Sequence, residues 1–149
     1  MAFVVRDATE ADAPKIVEFQ LAMAKETEGI ELDRETCTRG VAAVFSDATL
    51  GRYFVAAQDG VVVGSLMITY EWSDWRNGVF WWIQSVYVRP EFRGKGIYRA
   101  LHAHVRTMAK AAGGVCGFRL YVEKENAAAQ ETYRRLGMHE TPYVLFEEP

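Results

Sequence analysis

The chain has 149 residues, half of them hydrophobic and a quarter charged, with a formal net charge of −3. That length makes one domain over residues 1–149 with enough chain to bury a core, and mild acidity argues against bulk nucleic-acid binding. No apolar run reaches the length of a membrane span, and the N-terminus lacks the basic start and apolar stretch of a secretory signal, so a cytoplasmic protein with no membrane partner is expected.

Phe3 to Arg6 reads as a short strand. A helix follows, with Thr9 as its cap, Pro14 tolerated in the first turn, and Ile16, Phe19, Leu21 and Met23 on one apolar side. An acidic connection with Glu26, Glu28, Glu31 and Asp33 leads into a second helix. Asp33 is its predicted cap, and Val41, Val44 and Phe45 are its buried residues. Two strands, "RYFVAAQ" and "VVVGSLMITY", flank Asp59-Gly60, a strong hairpin signal. The turn segment "EWSDWRNG" ends on a second such pair, Asn77-Gly78. "VFWWIQSVYV" is apolar on both faces and reads as a central strand.

Behind Arg89-Pro90 comes "EFRGKGIYRALHAHV". Ile97, Leu101, Val105 and Met108 form one helical stripe. Arg99, His102, Arg106 and Lys110 are assigned to the opposite side, and His102 and His104 read as surface and flank residues. Gly113-Gly114 ends this helix. "FRLYV" is a strand, "NAAAQETYRRLG" a helix capped by Asn126 and closed by Gly137, and "YVLFEE" a last strand. The pattern predicts a mixed sheet with helices on both faces. Cys37 and Cys116 stand in no metal or redox spacing; both are expected to be reduced, buried small hydrophobes, and no metal site is expected.

The glycine stretch asks for a ligand. A strand, a turn with Gly94 and Gly96, and a helix start together present backbone N–H groups that lack intrahelical partners, at the positive end of a helix dipole. Glycine lets the backbone approach a bulky anion, and Arg93 and Lys95 add charge at the rim. A phosphate-bearing ligand follows, most simply a pyrophosphate. A dinucleotide fingerprint would need glycine where Arg99 stands, and a Walker loop would need Ser or Thr directly after Lys95, where Gly96 and then Ile97 follow. A plain left-handed turn with a solvated basic rim is the bland alternative.

Three motifs in order resemble the GNAT superfamily of N-acetyltransferases, across nearly the whole chain. "VVRDATEADAPKI" is similar to the family's opening I-R-x-A-T-x-x-D. Arg93-Gly94-Lys95-Gly96-Ile97-Tyr98 resembles its R/Q-x-x-G-x-G/A signature, departing only at Tyr98. Asn126, Ala129, Tyr133, Leu136 and Gly137 fall on its N-x-x-A-x-x-x-Y-x-x-L-G pattern. The resemblance implies a single-domain α/β fold. Its mixed central sheet would have six to seven strands flanked by about four helices, with splayed central strands forming an acyl-CoA cleft. It implies acetyl-CoA as co-substrate, its pantetheine arm along Val86, Tyr87 and Val88. The pyrophosphate would lie on the turn from Arg93 through Gly94, Lys95, Gly96 and Ile97 to Tyr98, with Asn126 and Ala129 also placed in the binding motif. The departure at Tyr98 requires a large side chain that either turns away from the phosphates or covers them.

The implied reaction is acetyl transfer to a primary amine (a small molecule, an antibiotic or a peptide) in a direct ternary complex. A backbone N–H near Val86 would meet the oxyanion, and Tyr133 would protonate the thiolate. The family's strand glutamate is missing: Gln84 and Ser85 are the only polar side chains on that strand. Glu28, Glu71, Asp74 or water are left as the base. The acidic connection, with Trp72 and Trp75, suits a cationic acceptor. A homodimer is a further expectation. The rival readings are an acyl-CoA-binding regulatory domain without turnover and a nucleotide-binding module.

Overall fold

A computed structural model describes residues 2–149. Its sheet has five strands in the order β1 to β5: β1 Val4–Asp7, β2 Arg52–Gln58, β3 Val61–Ser73, β4 Gly78–Val88 and β5 Val115–Arg119. The first four run antiparallel to their neighbours, whereas β4 and β5 are parallel. Four helices cover the faces: α1 Ala13–Glu28, α2 Arg34–Ser46, α3 Ile97–Ala112 and α4 Ala127–Arg135. The mixed α/β expectation holds, but the sheet is smaller than the expected six to seven strands. "YVLFEE" forms no strand; Tyr143 to Phe146 lie exposed outside the sheet.

Two apolar layers sandwich the sheet. Ile97, Leu101, Val105 and Ala109 of α3 pack on Phe54, Leu66, Ile68, Trp81 and Ile83. On the other face Ile16, Val17 and Phe19 of α1 and Val41 of α2 pack on Tyr53, Val55, Val62 and Tyr87. The predicted punctuation recurs. Asp33 accepts from the Thr36 N–H at 3.0 Å and caps α2, and Asn126 accepts from the Ala129 N–H at 3.1 Å and caps α4. Asp59 and Gly60 take the positive φ that a tight hairpin requires.

Thr9 does not cap α1 directly. A short 3-10 turn, Glu10–Asp12, precedes the helix, and Asp12 organises it. The Asp12 carboxylate accepts from Arg6 at 2.7 and 3.1 Å and from the Thr9 N–H at 2.8 Å, and only 7% of the residue is exposed. The Arg6 hydrogen bond leads in holding its pKa below the ordinary carboxylate value, against a burial that acts the other way. A group whose native pKa is depressed binds fewer protons folded than unfolded. Its stabilisation is therefore full above the unfolded value, about 3.9, and is lost as pH falls through the lower native value. Asp12→Asn should cost about 1.5–3 kcal/mol near neutral pH, the range of a hydrogen bond to a charged group. The variant should also show a flatter acid limb in urea melts taken from neutral pH downward. An unchanged acid limb would remove Asp12 from the account.

Two local irregularities shape the centre of the sheet. The β3–β4 register passes from Ser65 opposite Tyr87 to Met67 opposite Gln84, so Ser85 and Val86 bulge against Leu66 alone. Ser85 has φ of 52°, an uncommon conformation for a non-glycine residue, and such bulges re-aim side chains beside functional sites. Meanwhile β4 pairs with β5 only from Val79 to Trp82. Beyond Trp82, β4 continues to Val88 with no strand on that side.

Candidate active site

The glycine turn forms as its sequence suggests. Gly94 and Gly96 have φ of 75° and 82°, in the left-handed region that favours glycine. A Cβ built on either would meet nothing within 4 Å, so neither glycine is needed for packing. What they leave is an open approach to the first N–H groups of α3, which have no partner inside the helix. Such a turn is a general anion-binding arrangement.

A cleft of about 460 Å³ lies over the turn. Val88, Arg93, Gly94, Gly96, Ile97 and Tyr98 line it on one side, and Thr132, Arg135 and Leu136 of α4 complete it. Phe92 and Arg99 belong to its wall as well. A second cleft, of about 290 Å³, is lined by Met23, Glu26 and Thr27 of α1 and by Val86, Tyr87, Val88 and Arg93. Val88 and Arg93 border both. Most expected cofactor residues therefore converge on two adjoining clefts. Lys95, Asn126 and Ala129 line neither; Lys95 Nζ lies 5.5 Å from the centre of the Phe92 ring, and Asn126 caps α4.

Tyr98 turns inward. Its hydroxyl lies 3.1 Å from His102 Nδ1, and its ring meets the Tyr133 ring edge-on at 5.7 Å between centroids. Burial raises the Tyr98 pKa. The departure from the usual Gly or Ala thus adds packing under the cleft rather than a cover over it. His102 corrects the sequence reading. It is 1% exposed, on the core side of α3, because the buried face of this helix is wider than the stripe from Ile97 to Met108. Burial first, and the Arg106 charge second, lower its pKa to about 4, so it is neutral at physiological pH. His104 is half-buried, edge-on to Phe54 at 5.2 Å. Cys37 is half-buried and Cys116 exposed, against the expectation that both would be buried.

Tyr133 lies half-buried on α4. Its burial raises the phenol pKa, which keeps the hydroxyl protonated at neutral pH, the state a proton donor requires. Among the base candidates, Glu71 is committed elsewhere. It accepts from Trp82 Nε1 and Arg119 Nη1, each at 2.9 Å, and these contacts, the Trp82 bond foremost, hold its pKa down. Glu28 is exposed at the end of α1, and Asp74 is exposed in the β3–β4 turn. Gln84 donates to Thr69 Oγ1 at 2.6 Å. Of the tryptophans in question, Trp81 is core, whereas Trp72 and Trp75 are exposed and line neither cleft.

Glu26 has a different role from that of a free acidic-loop residue. Its carboxylate accepts from the Tyr87 hydroxyl at 2.9 Å and from Arg93 Nη2 at 2.8 Å. Arg93 in turn donates from Nε to the Val88 carbonyl at 2.8 Å. The Arg93 hydrogen bond leads in lowering the Glu26 pKa, so this carboxylate is a poor base. Three elements are tied at one point: the end of α1, the exit of β4 and the glycine turn. Partners 61 and 67 residues apart leave no local signal in a sequence. Exposed ion pairs are worth about 0.2–1 kcal/mol. Glu26→Gln should therefore raise the KM for acetyl-CoA up to about fivefold through a looser Arg93 and leave the acceptor KM nearly unchanged. Steady-state kinetics with each substrate varied in turn decides this; a change confined to the acceptor KM would return Glu26 to acceptor recognition.

The profile of the Acetyltransferase (GNAT) family matches residues 14–138. The chain belongs to the GNAT family of acetyltransferases. A structure described as a possible acetyltransferase from Clostridium difficile is 44% identical, with a TM-score of 0.92 over 100% of this chain and 98% of its own. A predicted acetyltransferase with acetyl-CoA, from Clostridium acetobutylicum, is 19% identical with a TM-score of 0.80, covering 99% of this chain and 96% of its own. AAC(6')-Iy in complex with the bisubstrate analog CoA-S-monomethyl-acetylneamine is 18% identical with a TM-score of 0.79, covering 100% of this chain and 99% of its own. The last two likenesses carry the fold. No curated protein matches the sequence significantly. As a GNAT acetyltransferase the chain is an acyltransferase, and acetyl-CoA is the donor of its family. Among the described residues there is no cluster of His, Cys, Asp and Glu that could hold a metal ion, and no helix is long and apolar enough to cross a membrane.

Proposed function

We propose that this GNAT protein transfers the acetyl group of acetyl-CoA to a primary amine by direct attack within a ternary complex. The observation that carries this reading is the adjacency of the two clefts across Val88 and Arg93. One has an anion cradle for the CoA pyrophosphate; the other opens beside the β4 bulge, where the thioester would end. The pantetheine arm follows the unpaired side of β4 along Val86, Tyr87 and Val88, and the amine enters from the α1 side, past Met23 and Thr27.

The chemistry balances with few groups. The neutral amine nitrogen attacks the thioester carbon, a C–N bond forms and the C–S bond breaks. A backbone N–H at the bulge near Val86 stabilises the oxyanion, and Tyr133 donates its proton to the departing thiolate. The amine's excess proton leaves through water, which also reprotonates Tyr133, since Glu26 is held ionised foremost by Arg93 and Glu71 foremost by the Trp82 hydrogen bond and then by Arg119. The acceptor class proposed is a small or peptide amine. The aminoglycoside-derived group in the AAC(6')-Iy complex is one amine scaffold to include in a panel. The test is free-thiol release from acetyl-CoA with such a panel. Turnover with an amine, accompanied by the acetylated product in a mass spectrum, supports the reading. Tight CoA binding with no turnover across a broad panel would favour a regulatory acyl-CoA-binding domain, and preference for ATP or NAD over CoA would overturn the pyrophosphate assignment.

A further inference from the structure

The helix that carries Tyr133 has little hold on the core. α4 is nine residues long and none of them is fully buried, whereas α1, α2 and α3 each bury at least one. A helix this short is marginal alone and depends on what it packs against. Two side chains of α3 reach it. The Tyr98 ring meets the Tyr133 ring edge-on at 5.7 Å between centroids, and Arg106 Nη2 donates to the Leu136 carbonyl at 2.5 Å. The second contact satisfies a carbonyl at the helix end, where intrahelical partners are missing and a cation is favoured.

Tyr98, His102 and Arg106 stand at intervals of four and so share one side of α3. This stripe runs beside the apolar one, Ile97, Leu101 and Val105, that enters the core. His102, in its middle, is buried, and its Nδ1 shares a hydrogen bond with the Tyr98 hydroxyl at 3.1 Å. The two rings also meet edge-on, at 5.7 Å between centroids. His102 Nε2 is buried with no partner among the described residues, so the bond to Tyr98 is the polar contact that orients this imidazole. Three rings therefore stand in a row, each edge-on to the next at a spacing that aromatic pairs prefer. His102 is fixed in the core, Tyr98 packs against the core at the cleft wall, and Tyr133 lies half-buried on α4. The small residue usual at position 98 of the family signature could make neither contact.

We propose that Tyr98, oriented by His102, is the positioning residue for Tyr133 and sets where that phenol stands relative to the departing thiolate. The proposal rests on the reading of Tyr133 as proton donor and deepens it. Tyr98 moves no proton itself; it acts through the ring of Tyr133. A general acid must lie within hydrogen-bond reach of the atom it protonates. Misplacement by about 1 Å can cost roughly a hundredfold in rate. A short, exposed helix does not supply that precision alone. Tyr98 and Arg106 fix α4 at two points, one at the donor and one a turn beyond it.

Tyr98→Ala removes the middle ring but keeps the backbone N–H of the turn and a good helix former. Its kcat should fall about tenfold, with the dissociation constant for acetyl-CoA within about threefold of the parent. Tyr98→Phe keeps the ring and loses only the bond to His102, so it should rescue most of the loss and cost about two- to fourfold. Thermal melts check folding, and Tyr98→Leu replaces the alanine variant if that one does not fold. Two readouts separate positioning from general packing. The Tyr98→Ala loss should shrink with thioesters of more acidic thiols, as a defect in leaving-group protonation does. In a Tyr133→Phe background, Tyr98→Ala should cost no more than about twofold further, because no donor remains to be placed. Hydrogen exchange read by mass spectrometry should also quicken in Ala127–Arg135 of Tyr98→Ala. Losses that multiply in the double variant, a loss indifferent to the thiol, or unchanged exchange in α4 would each overturn the proposal. Full kcat in Tyr98→Ala beside an impaired Tyr133→Phe would sink the positioning role alone. Full kcat in Tyr133→Phe would sink the donor reading, and this proposal with it.

Discussion

Tyr133→Phe should lower kcat about tenfold to a few hundredfold while the dissociation constant for acetyl-CoA stays within about a factor of two. The substitution removes one oxygen and keeps the ring that meets Tyr98 edge-on at 5.7 Å, so the packing under the cleft survives. Burial favours the neutral phenol, which is therefore available as a donor throughout the physiological range. A positioned general acid contributes about 10²–10⁴-fold; thiolate is already a fair leaving group, which places the expectation at or below the low end of that range. The loss falls in the transition state, so it appears in kcat and in kcat/KM alike. It should shrink with thioesters of more acidic thiols, which need less protonation. A variant with full kcat would make Tyr133 a packing residue, and the proton would then reach the thiolate through water.

Gly96→Asp should raise the dissociation constant for CoA roughly a hundredfold and leave the fold intact. Gly96 sits at φ of 82°, and an added Cβ there would meet no protein atom within 4 Å. Most residues would pay about 1–2 kcal/mol in this left-handed conformation, whereas Asp and Asn adopt it more readily. The new carboxylate would point into the space proposed for the pyrophosphate. At an effective dielectric constant of about 20, two unit charges 4 Å apart repel by about 4 kcal/mol, and solvent at an open turn reduces that to the expected hundredfold effect. Gly96→Asn is the matched control. It has the same shape without the charge, so it should weaken CoA binding by only a few-fold. Calorimetry on both variants, with thermal melts to confirm folding, separates charge from shape. Equal losses in the two would mean that bulk alone is excluded from the turn; no loss in either would remove the phosphate from this site.

Much of this protein is written locally in its sequence. Asp33 and Asn126 cap their helices, Asp59-Gly60 turns its hairpin, and Gly94 and Gly96 turn the chain into α3, because each of these depends on residues within a few positions. The three motifs that resemble the GNAT family are local too, and the family followed from them. What the tertiary structure decided lies in contacts between distant parts of the chain. His102 has the composition of a surface residue, but α3 presses it into the core, where burial keeps it neutral. Glu71 reads as a free carboxylate until Arg119, 48 residues away, is brought beside it. Glu26 reads as part of an acidic loop until Tyr87 and Arg93 close on it. "YVLFEE" has the residues of a strand but no neighbour in its own chain, since strand pairing is a property of two segments and composition describes only one. Local backbone preference acts over a turn or two and can be read from the residues themselves. Charge pairing, burial and edge pairing depend on which surfaces meet, and only the folded chain brings those surfaces together.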